Sequence, residues 1–301
     1  MKKILLVLLI FALAVSIFAG NSWLEETEKL HDNASYDAEF KILEKELAAA
    51  GSDNDKSELL WRMARAALSI TDQLERDGAS KERLLEEFTI AWDYATKSLS
   101  YNSNNYLAYY WRAANIGRWG QTKGILASLF KADDMRDDLE RAVNSNPNHG
   151  DSYNVLGMLY DSVPGFGSFG NKAYAVSLAR KAVDNQDISD NPYKYSYYLE
   201  LAKHLWNRKW KESKRLSEQK KEKNNFKSKS SQLEKNWFYE GTIDLSKATA
   251  YSSNGIKSMS DREEAVIILD WLLVELNKLS DKKPGDFDDL EEAKELLADW
   301  K

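Results

Sequence analysis

Apolar side chains recur every three or four positions along most of this chain, the spacing that gathers them on one face of an α-helix. Leu59, Leu60, Met63, Ala64, Ala67 and Leu68 make one such face; Leu84, Leu85, Phe88, Ala91, Trp92, Ala95 and Leu99 make another. Polar turns lie between the runs, such as Gly51-Ser52-Asp53-Asn54-Asp55 and Asn102-Ser103-Asn104-Asn105. Their Ser, Asp and Asn side chains are natural N-caps for the free amides of the next helix. No run alternates with the two-residue period of a strand. Only 14 Gly and 4 Pro punctuate 301 residues, too few for a sandwich or barrel that turns every roughly 8–12 residues. The expected fold class is all-α.

A long helical chain calls for a search for repeats. Asn146-Pro147-Asn148 is followed by Tyr153, Leu156, Gly157 and Tyr160, then by Ala175, Ala179 and Ala182. Asn191-Pro192 is followed by Tyr198, Leu201, Ala202 and Leu205. Gly157 stands as far from Pro147 as Ala202 does from Pro192. The pattern resembles the tetratricopeptide repeat. Small residues let paired helices A and B approach closely, and proline ends helix B because its predecessor avoids helical geometry. Trp61-Arg62-Met63-Ala64 and Trp111-Arg112-Ala113-Ala114 open related helices A. Residues 36–50 read as the second helix of an N-terminal half-repeat, and residues 163–170 as an insertion. The expectation is a right-handed α-solenoid of four to five helical hairpins over residues 22–210, with C-terminal capping helices.

Residues 59–66, Leu-Leu-Trp-Arg-Met-Ala-Arg-Ala, are similar to the first repeat of the regulator of microtubule dynamics family and its bacterial relatives. Trp119-Gly120-Gln121-Thr122-Lys123-Gly124 and Val163-Pro164-Gly165-Phe166 resemble segments of secreted bacterial tetratricopeptide proteins, including the one associated with tripartite periplasmic substrate-uptake (TRAP) transporters. The resemblance covers roughly residues 57–210. It implies a repeat scaffold that partners another protein.

Met1-Lys2-Lys3, the apolar run of residues 4–15 and the small residues near Ala19 and Gly20 have the form of a secretory signal peptide over residues 1–20. Asn21 stands where a lipoprotein would carry its acylated cysteine, so no acyl anchor forms there. Cleavage takes the net charge from −6 to −8 and leaves no stable membrane anchor. The expected location is the periplasm or the exterior.

Residues 208–235 carry eleven Lys and Arg against four Glu. They read as a solvated basic helix and linker over 211–240, since export removes nucleic acid as a partner. Residues 265–276 are apolar on nearly every face and read as a helix pressed into the end of the solenoid. Residues 286–300 follow as an amphipathic helix, and 241–301 together as a helical cap.

Without cysteine, disulfides, thiolate metal sites and cysteine nucleophiles are excluded. His31, His149 and His204 are widely separated. No phosphate loop or nucleophile elbow is present. No catalytic residue, metal or cofactor is assigned, and the expected class is a non-enzymatic scaffold. The 10 Trp and 15 Tyr keep open one alternative, an α/α-toroid carbohydrate-active enzyme working through paired carboxylates. In a tetratricopeptide array, helix A lines the concave face. Its groove positions here are Trp61, Arg65, Tyr110, Arg118, Asn154, Asp161, Lys203 and Trp206. They are expected to hold a protein partner or small ligand, or to serve a homo-oligomer. The insertion after Val163 or the C-terminal helices would be the alternative cover for these rings.

Overall fold

The computed structural model describes residues 22–186, 194–245 and 258–301. The expected signal peptide and Asn191-Pro192 lie outside the described residues. All regular structure within them is helical. The chain divides into two compact units, residues 1–135 and 136–301.

The first unit contains α1 (Ser22–Asp32), α2 (Tyr36–Ala49), α3 (Asp53–Arg76), α4 (Lys81–Tyr101) and α5 (Tyr106–Lys123). The division falls within α6 (Ile125–Ser145). Each helix packs on the next, and α3 also touches α5. That is the A–B–A order of tetratricopeptide-like hairpins, with α1, α3 and α5 as helices A. Helix α1 completes the N-terminal half-repeat into a full pair. The turns cap as their sequence suggests: Ser52 Oγ accepts from the Asp55 amide, and Asn105 Oδ1 from those of Leu107 and Ala108. Leu43, Leu59, Leu60, Met63 and Ala66 form the core where α2 and α3 meet; Leu68, Leu84 and Phe88 form the next layer. The α3–α4 crossing is set by small side chains. Ser57 and Ser98 are fully buried and their hydroxyls lie 2.9 Å apart.

The second unit takes in the end of α6, then the pair α7 (Gly150–Ser162) and α8 (Lys172–Asp184), followed by α9 (Tyr195–Arg208). Here α8 packs on α9, and α7 touches α9. A Cβ on Gly157 would sit 3.2 Å from the Ala175 carbonyl oxygen, so glycine permits the close approach of α7 and α8.

The order then breaks. The short α11 (Gln232–Asn236) and a 3-10 turn (Tyr239–Thr242) pack on α8, and helix α10 (Glu212–Ser228) packs on both of them. A Cβ on Gly241 would lie only 2.4 Å from the Lys223 nitrogen, so the turn lies backbone to backbone on α10. Helix α12 (Asp261–Lys278) packs along α9, and α13 (Pro284–Trp300) packs on α12 and reaches α9. Helix α12 therefore takes the helix-B place beside α9, and α13 the next helix-A place. The array resumes after an excursion of about fifty residues.

The apolar stretch at 265–276 is buried along one face rather than all round: Ala265, Ile268, Leu269, Leu272 and Leu276 are fully buried, while Val274 on the far side is exposed. No described helix is long and apolar enough to cross a membrane. The basic segment differs from a solvated helix and linker. Helix α10 displays lysines but buries Arg215 and Glu222, seven residues apart on one seam. Charge composition alone does not reveal that seam.

Candidate functional site

The helix-A positions fall into a series of polar bridges between one helix A and the next. In the first unit, Trp61 and Arg65 project from α3 and are buried. Trp61 Nε1 donates to Glu58 Oε2 at 3.0 Å, and the Arg62 guanidinium lies 4.0 Å from its ring centre. Arg65 donates to Glu28 of α1 and to Glu39 of α2, each at 2.8 Å. Glu39 is fully buried, and its second oxygen meets His31 Nδ1 at 2.8 Å. Burial opposes the Arg65 charge, but Glu28 and Glu39 outweigh it and hold the guanidinium pKa above its ordinary value.

Helix α5 carries Tyr110 and Arg118, both half-buried. Tyr110 meets Trp111 edge to face with ring centres 4.9 Å apart. Arg118 donates to Asp72 at 2.9 Å and to Gln121 at 2.8 Å, and also pairs with Glu75. Burial raises the Asp72 pKa despite the nearby Arg118.

In the second unit, α7 carries Asn154 and Asp161, both buried. Asp161 accepts from Asn207 of α9 at 2.6 Å and pairs with Lys172 at 2.9 Å. His204 lies 3.5 Å from Asp161. Burial would raise the Asp161 pKa, but His204, Lys172 and Asn207 bring it below the ordinary value. On α9, Lys203 reaches Glu200 at 2.7 Å and Glu292 of α13 at 2.8 Å. Trp206 stacks on Trp300 of α13, with ring centres 4.2 Å apart and planes 4° from parallel. Of the two covers considered for Trp206, the C-terminal helix is the one observed. The structure thus places Trp61, Arg65, Asn154 and Asp161 inside the packing, and Tyr110, Arg118, Lys203 and Trp206 at its edge.

The residues that sequence reasoning missed are mostly carboxylates: Glu28, Asp72, Glu75 and Glu292. An available signal was an acidic residue one helix A away from each groove cation. A second missed feature has no local signal. Arg180 of α8, Arg208 of α9 and Arg215 of α10 meet Glu240 of the turn and Asp261 and Glu264 of α12. All six are at least nine-tenths buried. Arg180 donates to Glu240 at 2.9 Å and grips Glu264 with bonds of 3.0 and 2.8 Å. Arg208 grips Asp261 with two bonds of 2.8 Å and also pairs with Glu240. Arg215 bonds the Met259 carbonyl at 2.9 Å and pairs with Glu264. Three positive and three negative groups balance. Glu240 is desolvated, yet Arg208 and Arg180 hold its pKa well below the ordinary range. Glu222 is a seventh charged group, buried beside them. Burial and Glu240 push its pKa up to about 8 against the pull of Arg208 and Arg180.

Among the described residues, no group of three or more His, Asp or Glu is placed to hold a metal ion. Of the side chains gathered at helix A, Arg65, Arg118, Asp161 and Lys203 are ion-paired to neighbouring helices.

The family model for regulator of microtubule dynamics proteins 1–3 matches residues 23–205. The chain belongs to this family. Curated relatives include regulator of microtubule dynamics protein 1 of Bos taurus, 26% identical over 145 residues, 48% of this chain and 43% of that protein. The protein of the same name in Pongo abelii is 29% identical over 135 residues, 44% of this chain and 42% of that protein. The chain thus spans less than half the length of these curated relatives. Among solved structures, one titled as the crystal structure of MamA protein covers 62% of this chain and 80% of its own, at 17% identity and a TM-score of 0.38. The family member is an all-α chain built of tetratricopeptide-like helical hairpins.

Proposed function

We propose that this family member is an exported, non-enzymatic scaffold that binds a protein partner along its helix-A faces, as an accessory to an envelope or transport system. The observation that supports this most is the bracing of the helix-A side chains. Arg65, Arg118, Asp161 and Lys203 are each held by a partner on a neighbouring helix A. Side chains fixed before binding lose little entropy when a partner arrives. Tyr110 and Arg118 are residue types enriched at binding hot spots. The form of residues 1–20 supports export, and N-terminal sequencing of the mature protein should begin near Asn21. An intact Met1 on a membrane-bound product would contradict export.

The scaffold reading is tested by affinity capture from envelope extracts with mass-spectrometric identification. Tyr110→Ala combined with Arg118→Ala spares the buried Arg65 and should lose specific partners while staying folded. A folded variant that keeps every partner would exclude this face of α5. Release of reducing sugar from envelope polysaccharide would favour the carbohydrate-enzyme alternative instead.

A further inference from the structure

We propose that a cleft at the N-terminal end of the first unit receives a lysine or arginine side chain from a protein partner. This deepens the scaffold reading and rests on it. The cleft encloses about 330 Å³ between the start of α1, the end of α2 and the start of α3. Trp23, Leu24, Ala49 and Leu59 give it an apolar wall, and Trp23 also packs against the Leu43–Leu60 core. A pocket of this size with an aromatic wall and a few polar groups has the build of a side-chain or small-ligand site.

Its polar groups decide the charge of the occupant. Arg62 is the one cation among the lining residues, and it is already engaged. It donates to Glu28 at 3.2 Å and to Glu58 at 2.8 Å, and it lies between the rings of Trp61 and Trp23. Glu58 is equally committed, because Trp61, Arg62 and Asn105 donate to its two oxygens. Glu46 and Asp55 remain at the mouth. Glu46 has only the exposed Lys45 nearby, at 3.9 Å. Asp55 accepts one hydrogen bond, from the Ser52 hydroxyl at 2.6 Å.

The backbone adds to this. Helix α2 ends beside the cleft at Ala49 with no basic residue in its last turn. Its final carbonyls lie outside the intrahelical ladder and carry the negative end of the helix dipole. The opposite pole of α3 is answered by the Ser52 cap and the acidic Asp53 and Asp55. The cleft therefore presents two carboxylates and a negative helix end around an apolar wall. A long cationic side chain satisfies both parts. Its methylenes cover the half-buried Trp23 and Leu24, and its charged head meets Glu46 and Asp55.

The test titrates the mature chain with a blocked tetrapeptide containing one lysine, alongside versions with arginine, norleucine or glutamate at that position. Calorimetry and tryptophan fluorescence report binding. The cationic peptides should bind, the norleucine and glutamate versions should not, and binding should weaken with salt. Glu46→Gln combined with Asp55→Asn should weaken binding by roughly tenfold or more, as expected on losing charged contacts. Trp23→Leu should weaken it less. Circular dichroism should show both variants folded. Absence of binding, equal binding of norleucine, or an unchanged double variant would overturn the proposal. If wild type captures a partner that the double variant also captures, the cleft fails while the scaffold stands. If wild type captures nothing, the scaffold reading itself fails.

Discussion

In the first unit, charges pair one step along the array; Arg65 and Glu39 do so in the interior, and Arg118 and Asp72 partly in view of solvent. Arg118 and its partner Asp72 are 46 residues apart, and both keep about a quarter to a third of their side-chain surface exposed. In the second unit, Arg180 meets Glu240 and Glu264, which lie 60 and 84 residues further on, and all three are buried. The first arrangement repeats with the fold, so deleting one bridge leaves its neighbours intact. The second joins α8, α9, α10, the 3-10 turn and α12 at one place. It occurs where the chain leaves the repeat order and must be fastened back.

The two regions should respond very differently to the loss of a single cation. Arg208→Ala strands Glu240 and Asp261 without their shared partner. It should cost about 3–5 kcal/mol, the range for breaking a buried pair. Arg118→Ala should cost under about 1 kcal/mol because solvent screens its half-exposed pairs. Equal losses in denaturant unfolding would erase the distinction.

Steric probes come next. Gly241→Ala pushes a methyl into the Lys223 backbone, and Gly157→Leu forces α7 from α8. Each should cost on the order of 1–3 kcal/mol. An unchanged melting temperature would show that the corresponding close approach is wrong.

A smaller effect is in the pH profile. Glu222 has a folded pKa of about 8, well above the roughly 4.3 of an unfolded glutamate. Between these values the folded state binds more protons than the unfolded state. Stability therefore declines as pH rises through that window and levels off above it. Asp289, raised to about 7 by burial and by Asp286, Glu292, Glu200 and Asp288, contributes with the same sign. Glu222→Gln should reduce the decline between pH 7 and 8, leaving the part that Asp289 contributes as it titrates near pH 7. A slope unchanged by that substitution would remove Glu222 as its source.

The contrast also explains what the sequence could reveal. Helical spacing, capping turns and the small residues at Gly157 and Ala202 are local signals. They suffice for the hairpins because repeat contacts join neighbours. Arg65 and Arg118 were recognisable as helix-A positions, but their carboxylate partners required knowing which helix lies alongside. The basic segment misled because composition counts charges without saying which face a helix buries. Arg215 and Glu222 turn inward among nine other charged residues of α10 and its flanks. Trp206 looked like a groove residue because the return of α13 depends on a chain path no local pattern encodes.

Helix α12 works as a member of the array because buried arginines clamp it to α9. Amide hydrogen exchange on the wild-type protein and on Arg208→Ala tests it directly. Asp261–Lys278 should be protected as strongly as Tyr195–Arg208 in the wild type, and both segments should lose protection together in the variant. Rapid exchange throughout Asp261–Lys278 beside a protected Tyr195–Arg208 would contradict it.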